Sequence, residues 1–172
     1  DLRCLKLCLS MMNKLPDAGD CHVKVFSSTL LDIPVDGLEE IFKVNDRKLC
    51  LAINDLGFLA DPLCMKSHID KLKELGVSIA IDQVGSGFSS LESIFLLEPQ
   101  YLRLDKSLTK KCESGEQHQL FLKNLVKLAA QISAKTIAEG IESPDHLRIM
   151  AGCGIDYGQG LFWGMPVALG DK

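Results

Sequence analysis

What this chain of 172 residues lacks narrows its class first. No apolar run approaches the roughly 20 residues that a membrane-spanning helix needs. The opening Asp1-Leu2-Arg3 does not have the form of a secretory signal, so no membrane insertion and a cytoplasmic location are expected. There is no surplus of positive charge: 19 Lys plus Arg stand against 23 Asp plus Glu, a formal charge of −4. General attraction to a polyanion is thereby lost, and a nucleic-acid polymer is not an expected partner. Cys-x-x-Cys pairs are absent from the cysteines at Cys4, Cys8, Cys21, Cys50, Cys64, Cys112 and Cys153, an odd set lying mostly among apolar neighbours. That speaks against a disulfide scaffold. Cys4 and Cys8 share a helix face with Cys21-His22 close behind, so zinc is a rival reading, but the spacing favours thiols serving as small core residues. Low-complexity stretches, linkers and long charge runs are also missing. With 47% apolar residues, a single domain with a full core is expected over residues 1–172.

What is present is a repeated unit. DLRCLKLCLSMMNKL carries apolar residues at helical spacing until PDAGD stops it, and HVKVFS follows as a β-type run. After a turn at Ile33-Pro34 come the amphipathic VDGLEEIFKV, the strand KLCLAI, the helix CMKSHIDKLKELG closed by Gly76, and the strand VSIAID. SSLESIFLLEP is a short helix, YLRLD a strand, GEQHQLFLKNLVKLAAQIS a long helix and KTIAEG a strand. Ser143-Pro144-Asp145 supplies a capping hydroxyl, a proline suited to the first helical position and an early acid ahead of HLRIMAGCG. YGQGLFW reads as the last strand. Six strands alternating with helices predict an α/β fold with a parallel sheet, either a doubly wound open sheet or a (β/α) barrel. Against the eight units and roughly 250 residues of a closed barrel, six units would make an incomplete one.

In both architectures ligands bind at the carboxyl ends of the strands. Those ends are polar here, and Asp82, Asp105, Glu139 and Glu142 are placed to converge on one rim, a hard-oxygen environment suited to Mg²⁺ or Mn²⁺. Solvated loop acids and helix caps are the plainer reading of the same residues. In YLRLD, Tyr101, Arg103 and Asp105 share a face. Arg103 is then either ion-paired with Asp105 or Glu139, or turned toward a ligand phosphate. The glycines of Gly85-Ser86-Gly87 offer backbone N–H groups to an anion, although positive φ alone more often explains glycine at such a turn.

Together these segments resemble the EAL domain, the (β/α) barrel phosphodiesterase that opens cyclic di-GMP. IDQVGSGFSSLESIFLLEPQYLRLDKS looks like the family's stretch from Asp-Asp-Phe-Gly-Thr-Gly-Tyr-Ser-Ser to its Lys-Ile-Asp strand. AKTIAEGIESPDHLRIMAGCGIDYGQGLFWGMPV looks like its Ala-Glu-Gly-Val-Glu and Gln-Gly-Tyr segments, down to Pro166. The match is specific over residues 77 to 166 and weaker before them. The resemblance implies a TIM-type barrel, N-terminally incomplete with about six of eight units, and a two-metal hydrolysis in which carboxylates hold the cations that activate water. It makes Asp82 and Glu139 the retained metal ligands, vestigial and not expected to be occupied. Arg103 stands in the place of the catalytic Lys, and Asp105, Glu142, Gln159 and Gly160 take ligand-binding positions. The resemblance also implies that Asp55, Gly85 and Gly87 steady the glycine-rich loop.

The same comparison shows losses. The Glu-Ala-Leu motif is not found. The metal-binding Asn is matched best by Phe26, or by Lys24 if the register slips two residues. A ligand Glu has become Ala52 and the second Asp has become Gln83, a neutral amide. Arg103 keeps the charge of the family's Lys but holds its proton permanently. The expected function is a catalytically inactive EAL-like domain in bacterial cyclic di-GMP signalling, acting as a regulatory protein-interaction module. A non-hydrolysing cyclic di-GMP sensor is the alternative, and an active phosphodiesterase is the least favoured. No cofactor is expected, with Mg²⁺ or Mn²⁺ only if the domain is active. Exposed strand edges of an incomplete barrel predict either dimerisation or covering residues upstream of Asp1, and a protein partner or a homodimer is expected.

Overall fold

A computed structural model of the chain describes residues 2–12, 19–42, 48–54, 62–86, 91–113 and 115–167. Helix α1 (Leu2–Met12) buries Leu5, Leu9 and Met12, a spacing of three to four that puts one apolar stripe inward. Strand β1 (Cys21–Phe26) leads into α2 (Ser27–Leu31), a short 3₁₀ turn at Val35–Gly37, and α3 (Leu38–Phe42). Then come β2 (Leu49–Asn54), α4 (Lys66–Glu74), β3 (Ser78–Val84), α5 (Leu91–Leu97) and β4 (Tyr101–Leu104). The chain continues through α6 (Lys106–Glu113), α7 (Glu116–Gln131), β5 (Lys135–Glu139), α8 (Pro144–Gly152) and β6 (Tyr157–Gln159).

All five strand pairings are parallel, and the spatial order β1-β2-β3-β4-β5-β6 is the sequence order. A doubly wound sheet reverses direction at a switch point. This sheet never does, so of the two architectures left open by the strand pattern the chain adopts the barrel-type winding, as a curled six-stranded arc. The arc has two apolar faces of different character. Outward, Leu51, Ile53, Ile79, Ile81, Leu102 and Leu104 join helix residues such as Leu30, Ile69 and Leu122 in the main core. Each such side chain withdrawn from water contributes roughly 1.5–3 kcal/mol before entropy is counted. Inward, the small residues Cys50, Ala52 and Ala80 form a separate cluster against Tyr101.

Local chemistry fixes the connections. The Ser143 hydroxyl accepts the His146 N–H at 3.1 Å with Pro144 at the first helical position, as the sequence predicts. Thr136 donates both its N–H and its hydroxyl to Asp156 Oδ2, at 2.9 and 2.8 Å, and Lys135 Nζ meets Oδ1 at 2.9 Å, tying the approach to β6 onto β5. Gly160 is required sterically, since a Cβ there would lie 2.0 Å from the Ile141 carbonyl oxygen.

Several expectations need correction. The last strand ends at Gln159, and Leu161–Trp163 form a 3₁₀ turn, because Phe162 N–H donates to Ile141 O and pulls the chain out of the ladder. Two helices, α2 and α6, were not foreseen. None of the seven cysteines is in a disulfide, but they are not uniformly core residues: Cys50, Cys112 and Cys153 are buried, Cys21 is intermediate, and Cys4, Cys8 and Cys64 are exposed. Among the described residues no helix is long and apolar enough to cross a membrane.

Candidate functional site

The ends of β3, β4, β5 and β6 bring four of the expected residues together. Asp82 lies within the last three residues of β3, where the register shifts between Ile81 and Val84. Gln83, at φ 55°, sits in the left-handed region within that irregularity. A non-glycine residue held there costs about 1 kcal/mol or more. A bulge of this kind re-aims the side chains beside it. The Gln83 carbonyl accepts from Ser86 N–H at 3.2 Å and from Ser86 Oγ at 2.7 Å, which holds the turn leaving β3.

Arg103 is the hub. Its Nε donates to Asp82 Oδ1 at 3.2 Å, and its Nη2 donates to Glu139 Oε1 and to Gln159 Oε1, the latter at 2.7 Å. The guanidinium is nearly buried, with 5% of its side chain exposed, against 0% for Asp82 and 19% for Glu139. Its planar fork thus binds two carboxylates and an amide from three other strands through two separate nitrogens, a spread that the single nitrogen of a lysine does not offer. Of the partners considered for Arg103, Glu139 is correct and Asp105 is not. Strand β4 stops at Leu104, and Asp105 turns away to cap α6, its Oδ1 accepting Ser107 N–H at 2.8 Å. Burial works against the Asp105 carboxylate, but the Ser107 hydrogen bonds, helped by Lys106 and Lys111, outweigh it and hold its pKa below the ordinary value.

Lys24 is the residue the sequence reading undervalued. Its Nζ lies 2.9 Å from Asp82 Oδ2 and 3.3 Å from Glu139 Oε1. The first contact is a charge contact rather than an aligned hydrogen bond, since Oδ2 accepts none. Of the two registers considered for the metal-binding Asn, the one through Lys24 reaches the carboxylates. Phe26, preferred from sequence, instead ends β1 at the N-terminus of α2, half-exposed. Lys24 pairs in register with Ala52, and Ala52 with Ala80, so two small side chains leave the lysine stem a clear path across the inner face. Two cations and two carboxylates therefore cancel one another on this rim.

Glu142 stays apart. Its side chain is exposed and its backbone N–H donates to His146 Nδ1 at 3.1 Å, while His146 Nε2 faces Glu113 Oε1 at 2.6 Å. Gly85 has φ +90°, and a Cβ there would lie 2.2 Å from Leu108 Cδ1, so its presence is explained by backbone and packing. Asp55 and Gly87 lie outside the described residues. Below the charged rim the inner face holds a cavity of about 500 Å³ lined by Asp20, His22, Tyr101, Arg103, Tyr157 and Gln159. Tyr101 donates its hydroxyl to Asp20 Oδ2 at 3.0 Å, and burial, reinforced by that acid, pushes the phenol up to about 12. Burial, aided by the Arg103 charge, lowers the pKa of His22, whose ring meets Tyr101 edge-on at 5.1 Å. Among the described residues no three His, Cys, Asp or Glu side chains come together as a metal-binding set.

A singly wound parallel (β/α) arc with its polar groups at the strand C-termini is the architecture of a barrel enzyme's catalytic face. The chain belongs to the EAL domain family, whose model matches residues 9–166. It is 32% identical over 120 residues to the cyclic di-GMP phosphodiesterase PdeA of Borreliella burgdorferi, covering 70% of this chain and 18% of that protein. It is 30% identical over 157 residues to the probable cyclic di-GMP phosphodiesterase PdeB of Escherichia coli, covering 84% of this chain and 30% of that protein. The chain therefore spans less than a third of the length of these two relatives. Among solved structures, an EAL domain protein of Listeria monocytogenes superposes with TM-score 0.82 at 18% identity, over 95% of this chain and 66% of that one. The PaMucR phosphodiesterase in its cyclic di-GMP complex superposes with TM-score 0.82 at 20% identity, over 96% and 75%.

Proposed function

We propose that this chain is a catalytically inactive EAL domain, serving cyclic di-GMP signalling in the cytoplasm as a regulatory module that works by binding protein. The observation that carries this reading is the engagement of Arg103 with both retained carboxylates, Asp82 and Glu139. In the family's reaction such acids hold divalent cations. Here their oxygens face a guanidinium and an ammonium, and the neighbouring ligand positions offer only the Ala52 methyl and the Gln83 amide. The donor set does not fit a metal pair. Mg²⁺ or Mn²⁺ accordingly has no assigned role, and neither carboxylate is left to accept a proton from water without first breaking an ion pair.

The partner is a protein, either a different chain or a second copy of this one. Leu161, Phe162, Trp163, Met165 and Val167, next to β6, are exposed and supply an apolar surface of the kind interfaces use. Calorimetric titration with cyclic di-GMP, with and without Mg²⁺, tests the reading. It predicts no nucleotide hydrolysis and no metal-dependent heat. Stoichiometric heat without metal would replace the protein-binding role with nucleotide sensing. Hydrolysis in Mg²⁺ would overturn the inactive assignment.

A further inference from the structure

We propose that the Lys24 ammonium is a built-in cation standing where a divalent ion would sit, adding to the Arg103 ion pairs in keeping Mg²⁺ and Mn²⁺ off the rim, so that its replacement raises the affinity for either ion. This rests on the inactive reading above and names a side chain that helps to close the site. Asp82 is buried, none of its side chain is exposed, and its Oδ2 accepts no hydrogen bond. A carboxylate oxygen in that position is unfavourable unless a cation faces it. Lys24 Nζ does so at 2.9 Å, and the same nitrogen is 3.3 Å from Glu139 Oε1. One point on the rim is thus bounded by oxygens from β3 and β5, and a metal ion placed there would find both already turned toward it.

The occupant of that point is separable from the fold. The Arg103 side chain is 5% exposed and braced by three partners, whereas that of Lys24 is 53% exposed and crosses the inner face over Ala52. Removing the ammonium leaves Arg103 to hold Asp82 and Glu139 in place and restores net negative charge to the rim. Even an ammonium displaced to about 4 Å from an incoming divalent ion weakens its binding roughly thirtyfold with full aqueous screening.

Mn²⁺ titration followed by electron paramagnetic resonance, on the wild-type chain and on K24N and K24Q, tests the proposal. Both variants replace the ammonium with a neutral amide oxygen, and K24Q keeps most of the stem. The wild type is expected to hold no more Mn²⁺ than its D82N variant. K24N and K24Q are expected to bind Mn²⁺ roughly thirtyfold more tightly than wild type, with the gain lost when D82N is added. Wild-type binding equal to that of K24N would overturn the proposal. So would folded K24N and K24Q proteins that gain nothing, or failure of both to fold, which would make the ammonium structural. Mn²⁺ binding by the wild type without hydrolysis would refute this inference alone, whereas cyclic di-GMP hydrolysis by the wild type would refute the inactive reading beneath it.

Discussion

Replacing Arg103 with methionine removes the hub of the rim while keeping an unbranched, buried side chain. The variant strands Asp82, whose side chain is fully buried, and loosens Glu139 and Gln159. Removing one partner of a buried ion pair costs about 3–5 kcal/mol. Lys24 still faces Asp82 Oδ2 and Glu139 keeps some access to water, which places R103M near the lower figure. For a chain of this length about 3 kcal/mol lowers Tm by about 6–12 °C. R103K should fall between, retaining the charge but not the fork. If the cost comes from an uncompensated carboxylate, D82N should relieve part of it, and the double variant D82N/R103M should be more stable than the sum of the two single losses predicts. Urea unfolding followed by circular dichroism measures the four variants against the wild type. An R103M loss within about 0.5 kcal/mol of zero, the range of an ordinary surface substitution, would refute the reasoning. So would strict additivity with D82N.

The other expectations come from separate parts of the molecule. Burial opposes the Asp156 carboxylate, but hydrogen bonds from Thr136 and Lys135 outweigh it and lower its pKa, so its contribution is present above the unfolded value and lost as pH falls through the folded one. D156N should therefore cost about 1–2 kcal/mol at pH 7, a deficit that closes as the wild type is acidified below about pH 4, and an undiminished deficit in acid would contradict this. Burial raises the thiols of Cys112 and Cys153 and pushes Cys50 up to about 12. A chromogenic disulfide at pH 8 should modify the exposed Cys4, Cys8 and Cys64 promptly and the buried Cys50, Cys112 and Cys153 only after denaturation, and equal rates at all of these sites would be inconsistent with the fold. G160A should destabilise by about 1–3 kcal/mol or more because the obstacle is backbone, whereas G152A, with nothing within 4 Å, should be neutral or stabilising in thermal unfolding.

The strands were legible because HVKVFS, KLCLAI, VSIAID and KTIAEG each combine β-branched or apolar runs with clear stops. Their spatial order was not, since periodicity says nothing about which strand pairs with which, and the barrel-type winding came from the resemblance. Helix α6 escaped notice because KSLTKKCE is mostly polar and buries only Leu108, Thr109 and Cys112, although Asp105 ahead of it carried a capping signal. That same aspartate was misassigned to the face of Arg103 by extending strand parity one residue past the point where β4 ends. Glu139, by contrast, was a correct partner for Arg103. Lys24 was hard to recognise because a lysine in a short strand ordinarily reads as a solvated position. Its role depends on the absence of bulk at Ala52 and Ala80, a property of neighbours far away in sequence.

Incubation of the purified chain with cyclic di-GMP and Mn²⁺, with chromatographic detection of the linear dinucleotide, addresses the central claim most directly. An inactive EAL domain whose retained carboxylates are held by Arg103 and Lys24 produces none above the protein-free blank, at any Mn²⁺ concentration that leaves it folded. Turnover that requires Mn²⁺, stops with chelator and disappears in D82N would contradict the account.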